Sequence, residues 1–440
     1  MFFGEEIFKE GVYFIGIGGV SMSALARLLR DHGVLVRGSD EAESGFTRQL
    51  EREGISVHIG SSEEITERTV VCTGAIGETH AQLASARRAG KTVLSRAELL
   101  GIIAVKFPCV VSVAGCHGKT TTTCMLAHIF KEAGAPFTAH IGGEDCTFGN
   151  YHAVGEKYFL TEACEFRRSF LSLKSDIAIV LNCDRDHTDC YKGEEELLEA
   201  YLEFAEKAQT VVVNVDDLRA RSIPHTLDFG LHSGRIRAEK LSSFGEKYAF
   251  TVSEDDVPVV RVRLNVVGKV HVYNALAAYA AARLAGLSGE EIRRGLESFT
   301  GVRRRFEAVG KLDGVPVVCD YAHHPREIAA TIDTAERLCR GTVRLVFQPH
   351  TYTRTRDFLE EFVDVLKRTE EPIIYHTYSA REKFDYAGSA VRLAGCIKGA
   401  RYVQTHEGLR ARLTEKLEKD DLILVLGAGD IYDIIMSILD

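Results

Sequence analysis

Short β-branched runs alternate along the chain with stretches whose apolar residues recur at helical spacing. That alternation predicts an α/β protein of mainly parallel sheets with flanking crossover helices. From the N-terminus, "VYFIGIGG" reads as a strand and glycine turn, then come a helix from Ser21, the strands "VLVRGSD" and "TVVCTGAI", a helix near Ala81 to Ala89, and "TVLSRAELL". This block, residues 1–106, predicts a small Rossmann-like domain. A second block, 107–300, opens on "VVSVAG" and carries "KYFLTEACE" and "SDIAIVLNCDRDHTD". Its weakly patterned stretch near 225–267 suits an antiparallel appendage, and "NALAAYAAARLAG" is its expected last helix. In the third block, 301–440, "PVVCD", "VRLVFQP", "PIIYHTY" and "LILVLGAGD" are four strand-like runs of another Rossmann-like sheet. Ligands of open parallel sheets gather beyond the carboxyl ends of the strands, so "DYAHHP", "QPHTYTRT" and "GAGD" are expected along one edge.

Composition narrows the function class. A length of 440 residues allows about three domains of ordinary size. Lys and Arg number 54 against 63 Asp and Glu, a formal charge of −9 without long single-sign blocks. This argues against nucleic acid or an anionic membrane as the main partner. The 11 cysteines are odd in number and form no CxxC pair, so neither a disulfide framework nor a zinc ribbon is expected. The charged start "MFFGEEIFKEG" is unlike a signal peptide, and no apolar run approaches the ~20 residues that span a bilayer. A soluble cytoplasmic protein is the expectation.

The segment "VVSVAGCHGKTTTT" offers a phosphate cradle, although the pattern GxxxxGK[ST] would place a glycine at Val113. Gly115, Gly118 and the amides entering the helix can approach phosphate oxygens, with Lys119 on the β/γ-phosphates and Thr120 on magnesium. The plainer alternative is a tight turn with a surface lysine. In "GIGGVSMSALARLL", Gly16, Gly18 and Gly19 follow a strand, and Asp40 lies where a ribose-binding acid would, but Ser21 takes the third glycine position. The loop fits a nicotinamide dinucleotide, another nucleotide diphosphate, or a structural turn. Glu162 and Glu165 end one strand, and Asn182, Asp184, Asp186 and His187 follow another, which suits either a magnesium site or a solvated acidic loop. Arg304, Arg305, His323, His324, His350, Arg354 and Arg356 fall in three loops at one predicted edge, where arginine forks suit carboxylates and phosphates.

In this order and spacing, "GCHGKTTTT", "TEACE", "LNCDRDH", "RRRF", "DYAHHP" and "QPHTYTRT" resemble the Mur ligases of bacterial cell-wall synthesis. The ATP loop of that family is GxxGK[ST] with a histidine at the place of His117, which accounts for Val113. The resemblance implies three domains: a Rossmann-like one for a UDP-sugar, a central P-loop ATPase-like one, and a Rossmann-like one for an amino acid. "GIGG", "DYAHHP" and "QPHTYTRT" look like the branch whose substrates are UDP-N-acetylmuramate and L-alanine, with a murein peptide ligase or another step of the family as the alternative. An NAD-dependent oxidoreductase, the rival from another class, leaves the Gly115 to Thr120 cradle unexplained.

The resemblance also implies roles. Gly16, Gly18, Gly19, Ser39, Asp40 and Thr73 would bind the UDP-sugar; Gly115, Cys116, His117, Gly118, Lys119, Thr120, Thr121, Asn274, Arg305 and Asp320 would bind ATP. Thr120, Glu162 and His187 would hold Mg2+, and Tyr321, His323 and Arg354 would frame L-alanine. Lys119, His187, Arg305, Asp320 and His350 would carry catalysis, in a monomer or weak homodimer. Three positions depart from the family pattern: Cys164 replaces an aspartate, His271 an asparagine that often contacts adenine, and Thr351 a frequent arginine.

Overall fold

The structure, a computed structural model, describes residues 2–61, 64–74, 76–77, 79–184, 190–191, 193–380 and 382–439. Its strands form three sheets in succession along the chain. The first contains β1 (Val12–Ile15), β2 (Val36–Asp40), β3 (Ser56–Ile59), β4 (Thr69–Cys72) and β5 (Thr92–Ser95), in the order β3-β2-β1-β4-β5. All its pairings are parallel. Central β1 is buried at every position, whereas edge strand β3 is exposed or half-buried throughout and lacked the apolar run that would mark it in sequence.

The second sheet is built from β6 (Cys109–Ala114), β7 (Phe137–Asp145), β8 (Gly149–Ala153), β9 (Tyr158–Glu162), β10 (Ile177–Val180), β11 (Thr210–Asn214), β12 (Leu227–Gly230), β13 (Ile236–Phe244), β14 (Lys247–Glu254) and β15 (Val257–Val267). Their order is β15-β14-β13-β12-β11-β10-β6-β9-β7-β8. Of the antiparallel appendage expected near 225–267, the part from Ile236 is the β13-β14-β15 meander, whereas β12 in the same stretch pairs parallel with β11 and β13. The block's last helix is not "NALAAYAAARLAG", found at Val270–Leu284, but Gly289–Ser298. That helix buries only Ile292, Gly295 and Leu296, too narrow a stripe to stand out, although Ser288 and Glu291 form its capping box. At Gly295 a Cβ would lie 2.2 Å from Ile129 Cα, so glycine lets this helix cross the helix Lys119–Glu132 closely.

The third sheet contains β16 (Glu307–Leu312), β17 (Val315–Asp320), β18 (Val343–Phe347), β19 (Ile373–Tyr375), β20 (Arg401–Val403) and β21 (Leu422–Leu426), in the order β16-β17-β21-β18-β19-β20. Only β16 runs antiparallel to its neighbour. The four predicted strands are present, and the two edge strands are additional. Asp320 pairs with Leu426, which also pairs with Phe347, so the loops after β17, β21 and β18 share one edge as expected.

Polar contacts tie the helix Val20–Asp31 of the first block to the β7-β8 hairpin: Asn150 Nδ2 donates to Val20 O at 2.7 Å, and Tyr151 Oη to Asp31 at 3.0 Å. Among the described residues no helix is long and apolar enough to cross a membrane.

Candidate active site

Strand β6 is flanked by β9 and β10, with Val113 opposite Glu162 and Ala114 opposite Val180. The loop Gly115 to Gly118 therefore leaves the sheet between "TEACE" and "LNCD". Gly118 has φ +85°, and a Cβ there would lie 2.6 Å from Asn274 Oδ1, so only glycine fits. Asn182 clamps the loop: it accepts the His117 amide and donates to the His117 carbonyl, both at 3.0 Å. The amides opening the helix Lys119–Glu132 then face the same way, an arrangement that attracts phosphate.

Lys119 Nζ donates to Gly115 O at 2.5 Å and lies 3.0 and 3.1 Å from the carboxylate oxygens of Glu165. Burial opposes its charge, but Glu165 holds the ammonium well above the ordinary lysine range. The sequence offered Glu165 as a possible metal acid; the structure makes it the lysine's counter-ion. Cys116 is buried and its Sγ donates to Asp184 O at 2.9 Å.

Glu162 Oε1 accepts the Gly142 amide at 2.7 Å. A Cβ on Gly142 would lie 2.7 Å from Glu162 Oε2, and one on Gly143 would lie 2.6 Å from Thr120 Cγ2. Two adjacent glycines thus let the chain pass close to the Glu162 carboxylate and the Thr120 side chain, whose carboxylate and hydroxyl oxygens are the hard donors that suit Mg2+. Burial raises the Glu162 pKa, and Lys119, the Thr120 hydroxyl, the Gly142 amide and Arg305 oppose that rise. His187 and Asp186 lie outside the described residues, among which no group of three or more His, Cys, Asp or Glu side chains forms a metal cluster.

A cavity of ≈ 410 Å³ is lined by His117, Gly118, Thr120, Thr121 and Asn274 from the second block and by Arg305 and Asp320 from the third. Gly115, Cys116 and Lys119 are not on its wall; His271, Arg326 and Glu327 are. Asp320 accepts the amides of Phe306 and Ala322, both at 2.7 Å, and burial pushes its pKa up to about 6. Burial and the charge of Arg305 lower the His271 pKa to about 4, so the ring is neutral, 3.4 Å from Asn274 Nδ2. His117 is the opposite case. Burial works against its proton, but Asp184 at 3.4 Å and Glu327 at 3.0 Å raise its pKa to about 9.

Along the edge of the third sheet, Tyr321 and His323 rings are 5.4 Å apart, His323 and His350 5.9 Å, and Arg354 Nη1 lies 3.4 Å from His350 Nδ1. The structure thus gathers all four. Burial, His323 and Arg354 lower the His350 pKa to about 3, leaving it neutral. Arg304 instead braces the fold between the rings of Tyr321 and Tyr432, and Arg356 turns outward to Asp357 and Asp385. His324 caps the helix Pro325–Leu338.

A separate cavity of ≈ 380 Å³ in the first block is lined by Gly16, Gly18, Gly19, Ser39, Asp40 and Thr73 together. Gly18 N–H donates to Asp40 Oδ2 at 2.8 Å, so the acid also shapes the glycine loop. Behind that loop runs a hydrogen-bond chain the sequence did not suggest. Arg96 Nη1 donates to Ser21 Oγ (3.2 Å), which meets His140 Nε2 (2.8 Å), while His140 Nδ1 meets Thr161 Oγ1 (2.9 Å) and Thr161 donates to the Glu162 carbonyl (3.2 Å). The ring thus bridges two hydroxyls, one at each nitrogen, with the tautomer setting which nitrogen donates.

Three family models cover most of the chain: the Mur ligase family catalytic domain at residues 11–108, the Mur ligase middle domain at 113–282, and the Mur ligase glutamate ligase domain at 304–429. A curated relative, the UDP-N-acetylmuramate--L-alanine ligase of Acetivibrio thermocellus, is 42% identical, with 96% of this chain and 94% of the relative covered. The chain belongs to the Mur ligase family. The enzyme of the same name from Caldicellulosiruptor bescii is 36% identical, covering 97% of this chain and 98% of its own. Among solved structures, the Mur ligase fold is shared with the UDP-N-acetylmuramate-alanine ligase of Thermotoga maritima, with a TM-score of 0.85, 24% identity and coverage of 97% and 98%. A murein peptide ligase from Psychrobacter arcticus shares it with a TM-score of 0.76, 22% identity and coverage of 98% of each chain. Membership of the Mur ligase family sets aside the oxidoreductase reading of the first glycine loop.

Proposed function

We propose that this Mur ligase joins L-alanine to the lactyl carboxylate of UDP-N-acetylmuramate, using ATP and releasing ADP and phosphate, in the cytoplasmic synthesis of peptidoglycan precursors. The observation that carries this is the relative of that activity, 42% identical along 96% of the chain. Residues 1–106 hold the sugar nucleotide, 107–300 the ATP, and 301–440 the amino acid.

In the first step a lactyl carboxylate oxygen attacks the γ-phosphorus, and ADP leaves. In the second, the amine of L-alanine attacks the acyl carbon, and phosphate leaves. Both steps bring anions together, so fixed positive charge at the phosphoryl group is the main requirement. Lys119 and the amides after Gly115 supply it, and Asn182 keeps those amides aligned. Thr120 and Glu162, with His187, would hold Mg2+, which when bound neutralises phosphate charge. The Arg354 fork suits the L-alanine carboxylate. Neutral His350 beside it adds no charge to repel the amino group. Arg305 and Asp320 reach the ATP cavity from the third sheet, so closure both completes the site and keeps water from the acyl phosphate.

Phosphate release should require Mg2+, UDP-N-acetylmuramate and L-alanine together, with glycine, L-serine and D-glutamate tried separately. Release that instead requires a muramoyl peptide or a free tripeptide would keep the family and overturn this substrate assignment.

A further inference from the structure

Glu327 has no role in the mechanism above, yet its carboxylate joins loops that serve different ligands. Oε1 lies 3.0 Å from His117 Nδ1 in the phosphate loop. Oε2 accepts the backbone amides of His323 at 3.2 Å and His324 at 3.4 Å, in the loop assigned to L-alanine. Arg305 Nη1 is 3.7 Å from Oε1. The side chain is only 14% exposed.

As the third residue of the helix Pro325–Leu338, Glu327 completes a capping box with His324. A cap needs one carboxylate oxygen, and its other oxygen is normally left to water. Here that oxygen faces an imidazole from another sheet. Arg326 pairs with Asp184, and Asp184 lies 3.4 Å from His117 Nε2. Two consecutive residues of opposite charge thus meet a complementary pair carried by the loops after β6 and β10. If the phosphate loop moved away, Glu327 would lose the nearer of its two imidazoles and keep only His323 at 3.5 Å and Arg305 at 3.7 Å, a weaker compensation for a largely buried carboxylate. Turning Glu327 outward to recover hydration would release the His323 and His324 amides and loosen the amino-acid loop.

We propose that Glu327 is a positioning residue that couples the L-alanine pocket to the phosphate loop through His117. The inference rests on the functional reading above for the identity of the amino acid. Its thermodynamic consequence is reciprocal: ordering of the phosphate loop by ATP tightens L-alanine binding, and L-alanine tightens ATP binding.

The test is steady-state kinetics of the full chain at saturating UDP-N-acetylmuramate for Glu327→Gln, His117→Asn and the double variant. Glutamine retains an oxygen for the two backbone amides but offers no charge to the imidazole. Each single variant should raise KM for L-alanine by roughly tenfold or more, the scale of a lost charged hydrogen bond. KM for the sugar nucleotide, measured separately at saturating ATP and L-alanine, should stay within about twofold, and the double variant should fall short of the product of the two singles, because both remove the His117–Glu327 contact. The diagnostic arm is His117→Asn, a phosphate-loop change read out on the amino acid. If it altered KM for ATP alone, or if the two effects multiplied, the coupling would be refuted; His117→Asn decides the matter if Glu327→Gln does not fold, and His117→Gln takes its place if His117→Asn does not. Should the wild type use a different amino acid, the substrate assignment would fall, and the same comparison made with that amino acid would still decide the coupling.

Discussion

Replacing Lys119 is the usual way to show that such a loop handles phosphate, and here it should also cost stability. Its side chain is 15% exposed and that of Glu165 0%, with a separation of 3.0 Å. Removing the lysine takes this cation from a buried glutamate charge, a loss of about 3–5 kcal/mol for pairs of this kind. At about 2–4 °C per kcal/mol for a domain near 200 residues, Lys119→Ala should lower the melting temperature by roughly 6–20 °C. Glu165→Gln in the same chain removes the charge that Lys119 balances, so the double variant should recover most of that loss while remaining inactive. Scanning calorimetry of the free enzyme beside phosphate-release assays separates the two effects. A Lys119→Ala protein melting within about 2 °C of wild type, or a double variant no more stable than the single, would refute the argument that burial controls the cost.

Three further outcomes follow from the site. Arg354→Ala should raise KM for L-alanine at least tenfold, on the scale of about 1.5–3 kcal/mol for a charged hydrogen bond, and a change confined to KM for ATP would refute its assignment. His271→Asn should lower KM for ATP relative to GTP, because an amide presents donor and acceptor on one side whereas the neutral ring presents them on opposite sides; an unchanged ratio in initial-rate measurements would count against a base-reading role. His140→Phe should lower stability in urea titrations by about 1–3 kcal/mol for each hydroxyl stranded, with His140→Gln less affected. Burial and Arg96 lower the folded His140 pKa to about 3. The neutral ring should therefore make wild-type stability fall as pH drops from its unfolded value near 6.5 toward 3, a slope both variants should lose.

Much of this was legible in the chain because buried parallel strands leave strong marks. "IAIVL" and "LILVLG" are continuous apolar runs and "VVSVAG" is broken only by Ser112, and they lie next to the ligand loops. Several missed strands are edges or hairpin partners with water-facing side chains, β3, β8, β16 and β20, but the mostly buried β7 and β11 were missed as well. Residues that act on their own loop were visible too, such as Gly118, whose φ and close neighbours demand glycine. Partnerships across loops were not. Nothing local in "TEACEF" says that Glu165 turns to Lys119 while Glu162 turns to Gly142 and Thr120, and nothing in "HHPRE" says that a capping glutamate also meets His117, 210 positions away. The Arg96 to Thr161 chain joins four distant positions through hydroxyls and one imidazole, residue types common in any turn.

The central claim is tested most directly by the mass of the product. Incubated with ATP, Mg2+, UDP-N-acetylmuramate and L-alanine, the enzyme should convert the sugar nucleotide to a species heavier by one alanine residue, in step with ADP. ADP formed without that species, or alanine joined only to a muramoyl peptide, would contradict the account.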